Sequence, residues 1–468
     1  MSKQHGLDLT QGDIKRLLVR FALPFALSGI VSAFYGMADM FFIGQYCSEE
    51  VLAGVGNGAN IMQIVYTGMM AISAAGSVLV GRRVGERDDK ECAKATGTFL
   101  FVGVLLAVFS TLLIIALRAP MLSILKVVEV ARPSASRYVI YCIPGLPFIV
   151  GFNVIGAIAR GLGNSTAPSI VGVIGCVANI ALDWLFTGVF GWAELGVAVA
   201  TSISQLITFV VIGIWILRVK FPYKFTKRDF RIDGASFRSI FRVGIPLWMQ
   251  ELLVHISFLI IAVIVNMMDD PLTKTAVAAA SVAVVSKIFT LGALFPASIS
   301  QAVAAMTAQN IGAGRRDRAF ASMKWGVIFS LAIDAAIVLW WQIAPTSVTS
   351  LFANEEGAAV ILSAAAYLRS FSLDMLLIAL IFPINSYLSG CGKSYVSMLH
   401  SMIATFAVRI PLSILFSRSD VFLTGDALNH KLYMLGLAAP IASVLSIVIC
   451  AVYVYRQQRQ WRTLDAAV

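Results

Sequence analysis

Two carboxylates, Asp39 and Asp183, sit well inside apolar stretches in the first half of the chain, with no Lys or Arg at similar depth. On insertion scales a charge at the centre of a bilayer costs about 2.5–3.5 kcal/mol, and such residues are usually kept for function. An unpaired buried carboxylate must either take up a proton or hold a metal cation. The neighbours suit both tasks. Tyr35 and Asp39 are four apart, as are Asn179 and Asp183, so on helices each pair shares a face. Thr201 adds a hydroxyl oxygen. Two carboxylates, an amide and a hydroxyl fit a small hard cation that prefers oxygen ligands, or one proton shared between the acids. Asp39, Asn179, Asp183 and Thr201, with Tyr35, are therefore the candidate cation-coupling set, and the first four form a metal site only if the coupling ion is Na+. Plainer readings stand beside this one. Asp39 could touch water from a helix end near Gly44, and Asn179 and Thr201 could be ordinary polar contacts between helices.

The second half is balanced differently. Glu251, Asp334 and Asp374 are matched in number by Lys287, Arg369 and Arg409, so ion pairing could satisfy them. Gln250 adjoins Glu251, and Glu251 and His255 are four apart. These three could line a cavity that holds a cationic substrate or a proton; equally, Glu251 could pair with one of the three bases. His400 reads as a packing residue. Phe34, Tyr35, Trp248 and Phe258 could stack on flat cations or simply pack. There is no HExxH, no GxSxG and no Walker loop. No enzyme and no cofactor are expected, and the energy source is an ion gradient, of H+ or Na+.

The elements that must position these groups follow from composition. Of 468 residues 59% are hydrophobic, the mean hydropathy is +0.84 and only 13% are charged, against about 25% in soluble domains. The solvent for most of the chain is lipid, and the Gly- and Pro-bearing apolar runs read as helices. Twelve spans are expected, near 14–44, 52–80, 92–117, 136–159, 166–190, 195–219, 239–267, 275–306, 319–343, 359–387, 395–417 and 433–456. The polar stretch 220–238 divides an N-lobe (1–219) from a C-lobe (239–468). Twenty-five Lys and Arg fall on the even-side loops and the termini and seven on the opposite loops, so both termini are expected in the cytoplasm. The same rule accounts for the net charge of +11 without nucleic acid. Residues 1–16 are polar and mixed in charge, unlike a cleavable signal. The six cysteines form no CxxC pair, and no disulfide framework is expected.

The chain also repeats itself. A shift of 229 lays Gly161 on Gly390, Gly163 on Gly392, Ser165 on Ser394 and Ala178 on Ala407. Leu23-Pro24 answers Ile245-Pro246, and the Gly-rich turn Gly81–Gly85 answers the turn at Gly312. Six spans separate the copies, so both halves keep one orientation, as in transporters built from parallel repeats. The frame matches but the chemistry does not: Asn179 and Asp183 face Val408 and Leu412.

With these motifs and Ala308-Gln309-Asn310-Ile311-Gly312-Ala313 in view, the sequence resembles the MATE family, multidrug and toxic compound extrusion transporters. It is most like bacterial branches with Gly244-Ile245-Pro246 opening span 7 and Gln250 after it. The resemblance covers essentially the whole chain. It implies an all-α membrane protein of twelve transmembrane helices, in two six-helix pseudo-symmetric lobes forming a V. It implies an antiporter in the bacterial inner membrane that exports amphipathic, often cationic compounds, and we take it as monomeric. Members with an N-lobe cation site build it at the positions of Asp39, Asn179, Asp183 and Thr201, and Tyr35 matches a Tyr one turn before the first Asp. Glu251 and Asp374 stand about one turn earlier than the C-lobe acids of some branches, so no C-lobe cation site is carried over. A flippase for a lipid-linked saccharide, from the same superfamily, is the alternative.

Overall fold

The computed structural model describes residues 6–124, 127–219, 221, 223–268, 276–352, 357–418 and 427–465. All of its regular structure among these residues is helical. In order the helices are α1 (Ile14–Tyr46), α2 (Glu49–Glu86), α3 (Asp89–Ile124), α4 (Arg132–Cys142), α5 (Leu146–Gly161), α6 (Thr166–Asp183), α7 (Ala193–Arg218), α8 (Gly234–Asn266), α9 (Val277–Gly312), α10 (Arg316–Ile343), α11 (Pro345–Ser350), α12 (Ala358–Phe371), α13 (Leu373–Gly390), α14 (Ser394–Ile403), α15 (Ile410–Arg418) and α16 (Ala427–Asp465). Twelve candidate spans emerge, as the apolar runs predict. Several overshoot the apolar runs. At 38 residues, α2 is about 57 Å long at 1.5 Å per residue, well beyond a hydrocarbon core of about 30 Å. Its polar end, through Arg82, Arg83 and Glu86, is helical because i,i+3 and i,i+4 ion pairs and an αL cap at Arg87 support it outside the apolar window.

Two spans expected to be continuous are broken. In the fourth, the 3₁₀ turn Ile143–Gly145 separates α4 from α5, because Pro144 lacks an N–H and clashes with the preceding turn. In the tenth, Ser372 separates α12 from α13. No proline is needed there, because Gln342 Nε2 donates to both the Arg369 carbonyl (2.6 Å) and Ser372 Oγ (2.9 Å) and holds the interrupted turn. The shift of 229 that aligns the glycines also carries residue 143 onto 372, so the break belongs to the repeat. Gly163 and Gly392, aligned by the same shift, have φ of 85° and 74°, a left-handed conformation that favours glycine.

The chain forms two compact units. The first takes in residues up to Trp248, with Ala304–Ser322 and Gly390–Gly392. The second takes in Met249–Val303, Met323–Ser389 and the remainder from Lys393. Lipid is as apolar as a core side chain, so helix association rests on close packing rather than on escape from water. In the first unit Phe99 fills the space over Gly76, and Ile61, Val80, Val139, Ile158 and Val197 are fully buried around it. In the second, Tyr367 stacks on Phe371 at 5.2 Å and Phe371 meets Phe289 at 4.6 Å, beside Trp341, Leu368 and Met375.

Two extramembrane pieces are tied into the first unit. The stretch before α1 is clamped by side chains of Ala304–Ser322. Gln309 Oε1 accepts from the Leu9 N–H (3.1 Å) while its Nε2 donates to the Gly161 carbonyl (2.8 Å). Asn310 donates to the Leu9 carbonyl at 3.1 Å, and Arg315 to that of Thr10 at 2.7 Å. The segment ahead of α8 docks on α3. The Tyr223 and Thr96 hydroxyls bond, and Thr98 Oγ1 donates to the Arg231 carbonyl and accepts from the Asp233 N–H. Asp233 then caps α8, accepting from the Ser236 N–H at 2.8 Å, a bond that holds its carboxyl below the ordinary range. None of the six cysteines is in a disulfide.

Candidate functional site

The predicted acids of the first half meet inside the first unit. Asp39 comes from α1, Asn179 and Asp183 from α6, and Thr201 from α7. The helices come close through small groups. The Cys176 thiol donates to the Val31 carbonyl at 3.2 Å between α6 and α1, and Gly175 and Gly196 leave room only for Thr208 and Thr187. Any larger residue at those glycines would push α6 and α7 apart.

Asn179 and Asp183 are fully buried and Asp39 is half-buried. With the Asn179 amide turned so that its nitrogen faces the acids, Nδ2 donates to Asp39 Oδ1 at 3.0 Å and to Asp183 Oδ2 at 3.1 Å. The opposite orientation would aim a carbonyl oxygen at two carboxylates, so hydrogen bonding selects this one. The two carboxyl groups are also within hydrogen-bonding reach of each other. Two like charges this close do not both stay ionised; a proton between them or a cation beside them resolves the conflict. Asp183 Oδ1 has no partner, and one turn on the buried Thr187 hydroxyl has none either. Immediately after Asp183 the helix widens into π turns over Trp184–Val189, a feature frequent at functional sites.

Asp39 and Thr201 line one cavity of about 470 Å³, within the range of small-molecule sites. Among its other polar walls are Gln63, Tyr66, Asn153 and Gln205, and Met62 and Phe152 are among its apolar ones. Those four polar residues carry no charge and no motif, so only the tertiary structure singles them out. The Tyr35 side chain lies outside the described residues. Among the described residues no group of three or more His, Cys, Asp and Glu gathers as a metal cluster.

The second unit holds Gln250, Glu251 and His255 on α8. Glu251 and His255 are exposed, and Gln250 Oε1 is buried without a partner. Of the two readings open for this half, ion pairing is not the one seen: Glu251, Asp334, Asp374, Lys287, Arg369 and Arg409 form no ion pair among the described residues. Asp374 accepts from Ser443 Oγ instead, and Arg409 lies over the Phe258 ring at 4.6 Å. Asp374 and Arg409 thus each meet a polar or aromatic neighbour in place of an opposite charge. His400 packs as expected, with Nε2 2.8 Å from Asn385 Oδ1.

Comparison with known proteins agrees with the repeat. The MatE family profile matches residues 24–185 and again 246–415, once in each half. The Bacillus subtilis chain named "Probable multidrug resistance protein YoeA" is 23% identical over 453 residues, 94% of this chain and 93% of that one. "Probable multidrug resistance protein NorM" of Thermotoga maritima is 24% identical, over 86% of this chain and 85% of its own. A solved structure described as the outward-facing conformation of a multidrug resistance MATE family transporter of the MOP superfamily superposes with a TM-score of 0.88, at 20% identity, over 97% of this chain and 99% of that one. With the profile matched in both halves, the fold shared along nearly the whole length and twelve spans in place, the chain belongs to the MATE family of multi-pass membrane transporters.

Proposed function

We propose that this protein is a secondary antiporter that exports amphipathic, often cationic compounds in exchange for H+ or Na+, by alternating access. The observation that carries the reading is the Asp39–Asn179–Asp183 cluster, whose amide bridges two carboxyls on different helices at 3.0 and 3.1 Å. Asp39 also lines the 470 Å³ cavity, so one carboxyl faces both the ion cluster and a space large enough for a small molecule. A cationic substrate and a coupling ion then compete for the same negative charge. Uptake of the ion neutralises the cluster and weakens the hold on the substrate. The change passes along α6 through the π turns after Asp183, where a register shift costs less than in an α-helix. The relatives' printed names support a multidrug substrate range.

Gln250, Glu251 and His255 complete the reading as a second face for cationic substrate or proton. The Lys and Arg distribution supports cytoplasmic termini, a bacterial inner-membrane location accords with the relatives, and two lobes split near 220–238 can rock as repeats. The protein works as a monomer in this reading.

The test is ethidium efflux from proteoliposomes under a pH gradient or a Na+ gradient, imposed separately. One gradient is expected to drive efflux in the wild type and not in Asp39→Asn or Asp183→Asn. Efflux in the variants equal to wild type, or none under either gradient, would sink the proposal and direct the search to lipid-linked substrates.

A further inference from the structure

One buried acid in the second unit takes no part in the cluster above. Asp334, on α10, is 0% exposed, and neither Oδ1 nor Oδ2 has a hydrogen-bond partner. One turn earlier on the same face, Ser330 is also 0% exposed with an unpartnered hydroxyl. Protein rather than lipid encloses this face. Gly326 lies against Ile299 and Val303 of α9 and Pro383 of α13, and further along Trp341 and Met375 close on Gly292. Between these contacts α10 runs antiparallel to both neighbours, so Asp334 falls near the level of Pro296 on α9 and of Ala379 on α13.

Each neighbour carries a proline at or within a turn of that level. Pro296 and Pro383 lie inside α9 and α13. A proline inside a helix leaves the carbonyl four residues earlier without its helical donor, here Gly292 and Ala379. Acceptors and a hydroxyl therefore lie near the level of a carboxyl that has no hydrogen-bond partner. The charged groups on the surrounding elements are Lys287 on α9, Asp374 on α13, Arg369 on α12, and Arg316, Asp317, Arg318 and Lys324 at the start of α10. None forms an ion pair with Asp334 among the described residues. An ionised carboxylate enclosed without donor or counter-charge is among the costliest arrangements a protein can hold. A bound proton removes the charge and supplies the missing donor.

We propose that Asp334, with Ser330, is a proton-binding site of the second unit, separate from the Asp39–Asp183 cluster. The proton sits on one carboxyl oxygen and donates to a carbonyl opened by a proline. The Ser330 hydroxyl, four residues back, reaches the other oxygen by a side-chain rotation. When α9 and α13 bend at their prolines and water enters, the proton leaves, so the second unit carries a proton of its own through the cycle.

Infrared spectroscopy of the purified full chain in lipid at neutral pH, in H2O and D2O without substrate or gradient, reads the site directly. The expected result is a protonated-carboxyl C=O band that shifts on deuteration, persists in Asp39→Asn, disappears in Asp334→Asn and returns in Asp334→Glu. Asn keeps the size of the side chain, and return of the band in the Glu variant separates proton binding from a general loss of structure. A spectrum of Asp334→Asn that keeps every such band overturns the proposal, as does a wild-type band removed by NaCl at constant pH. This readout needs no transport, so it stands or falls apart from the antiport reading. Release during the cycle rests on that reading. The ratio of protons taken up to substrate exported should be smaller by a single proton in Asp334→Asn, and an unchanged ratio overturns the release step while the infrared result decides the site.

Discussion

Asn179 is the residue on which the candidate site turns. Its two amide hydrogens are divided between acids on different helices, so it fixes their separation and their relative orientation together. Replacing it with Leu removes both donors and leaves two buried acceptors facing each other; each such loss costs about 1–3 kcal/mol. Asn179→Leu should lower gradient-driven ethidium efflux at least about tenfold, the equivalent of about 1.4 kcal/mol, and should lower the melting temperature in detergent. Unchanged efflux would mean that the acids act without the amide. At Glu251 the expectation differs. It is exposed and forms no ion pair among the described residues, so Glu251→Gln should leave folding intact and raise the substrate concentration for half-maximal efflux about tenfold by removing one charge contact with a cationic substrate. An unchanged half-maximal concentration would remove α8 from the substrate path.

At the scale of elements, close packing is reciprocal where α2 meets α9. A Cβ on Gly85 would lie 2.0 Å from the Gln309 carbonyl oxygen, and one on Gly312 would lie 1.9 Å from that of Arg82. The obstacle is backbone in both cases, so relief requires moving a helix. Gly85→Ala and Gly312→Ala should each destabilise by about 1–3 kcal/mol or more, and the double variant by less than the sum, because one displacement serves both. Thermal melting of the three variants in detergent checks this; full additivity would mean the two glycines relax separately. The capped start of α8 makes a pH-dependent prediction. The Ser236 N–H bond holds the Asp233 carboxyl below its ordinary value. Its contribution is therefore present above the unfolded value of 3.8 and is lost as pH falls through the lower folded value. Asp233→Ala should speed amide exchange at Ser236 and Phe237 at neutral pH, by about 1 kcal/mol of protection, and the difference from wild type should vanish in strong acid.

On the scale of the whole molecule, the compact units do not coincide with the two sequence repeats. Ala304–Ser322, from the second repeat, belongs to the first unit, where Gln309 and Asn310 supply the partners of Leu9 and of the Gly161 carbonyl. A chain ending near residue 232 would lose these bonds and the Gly312 crossing together. Expressed alone it should elute as an aggregate on size exclusion, and co-expression with the remaining residues should restore a soluble, monodisperse species in detergent. A monodisperse first half without its complement would show that this clamp is dispensable.

Much of the fold was legible beforehand, because lipid imposes a one-dimensional rule: a segment that is apolar for about 20 residues must be a helix that bonds its own backbone. The number of spans and the duplicated frame, with Gly163 laid on Gly392, followed from runs and spacings of this kind. Asp39, Asn179 and Asp183 were legible too, since ionisable and amide groups in apolar sequence are expensive enough to stand out. What tertiary structure alone decided is contact. It made Asn179 the bridge between the acids, added Gln63, Tyr66, Asn153 and Gln205 to the cavity wall, and left Glu251, Asp334, Asp374, Lys287, Arg369 and Arg409 without ion pairs among the described residues. It also enclosed Asp334 without a hydrogen-bond partner. Periodicity determines which face of a helix a side chain occupies; only the packing of distant helices determines what that face meets.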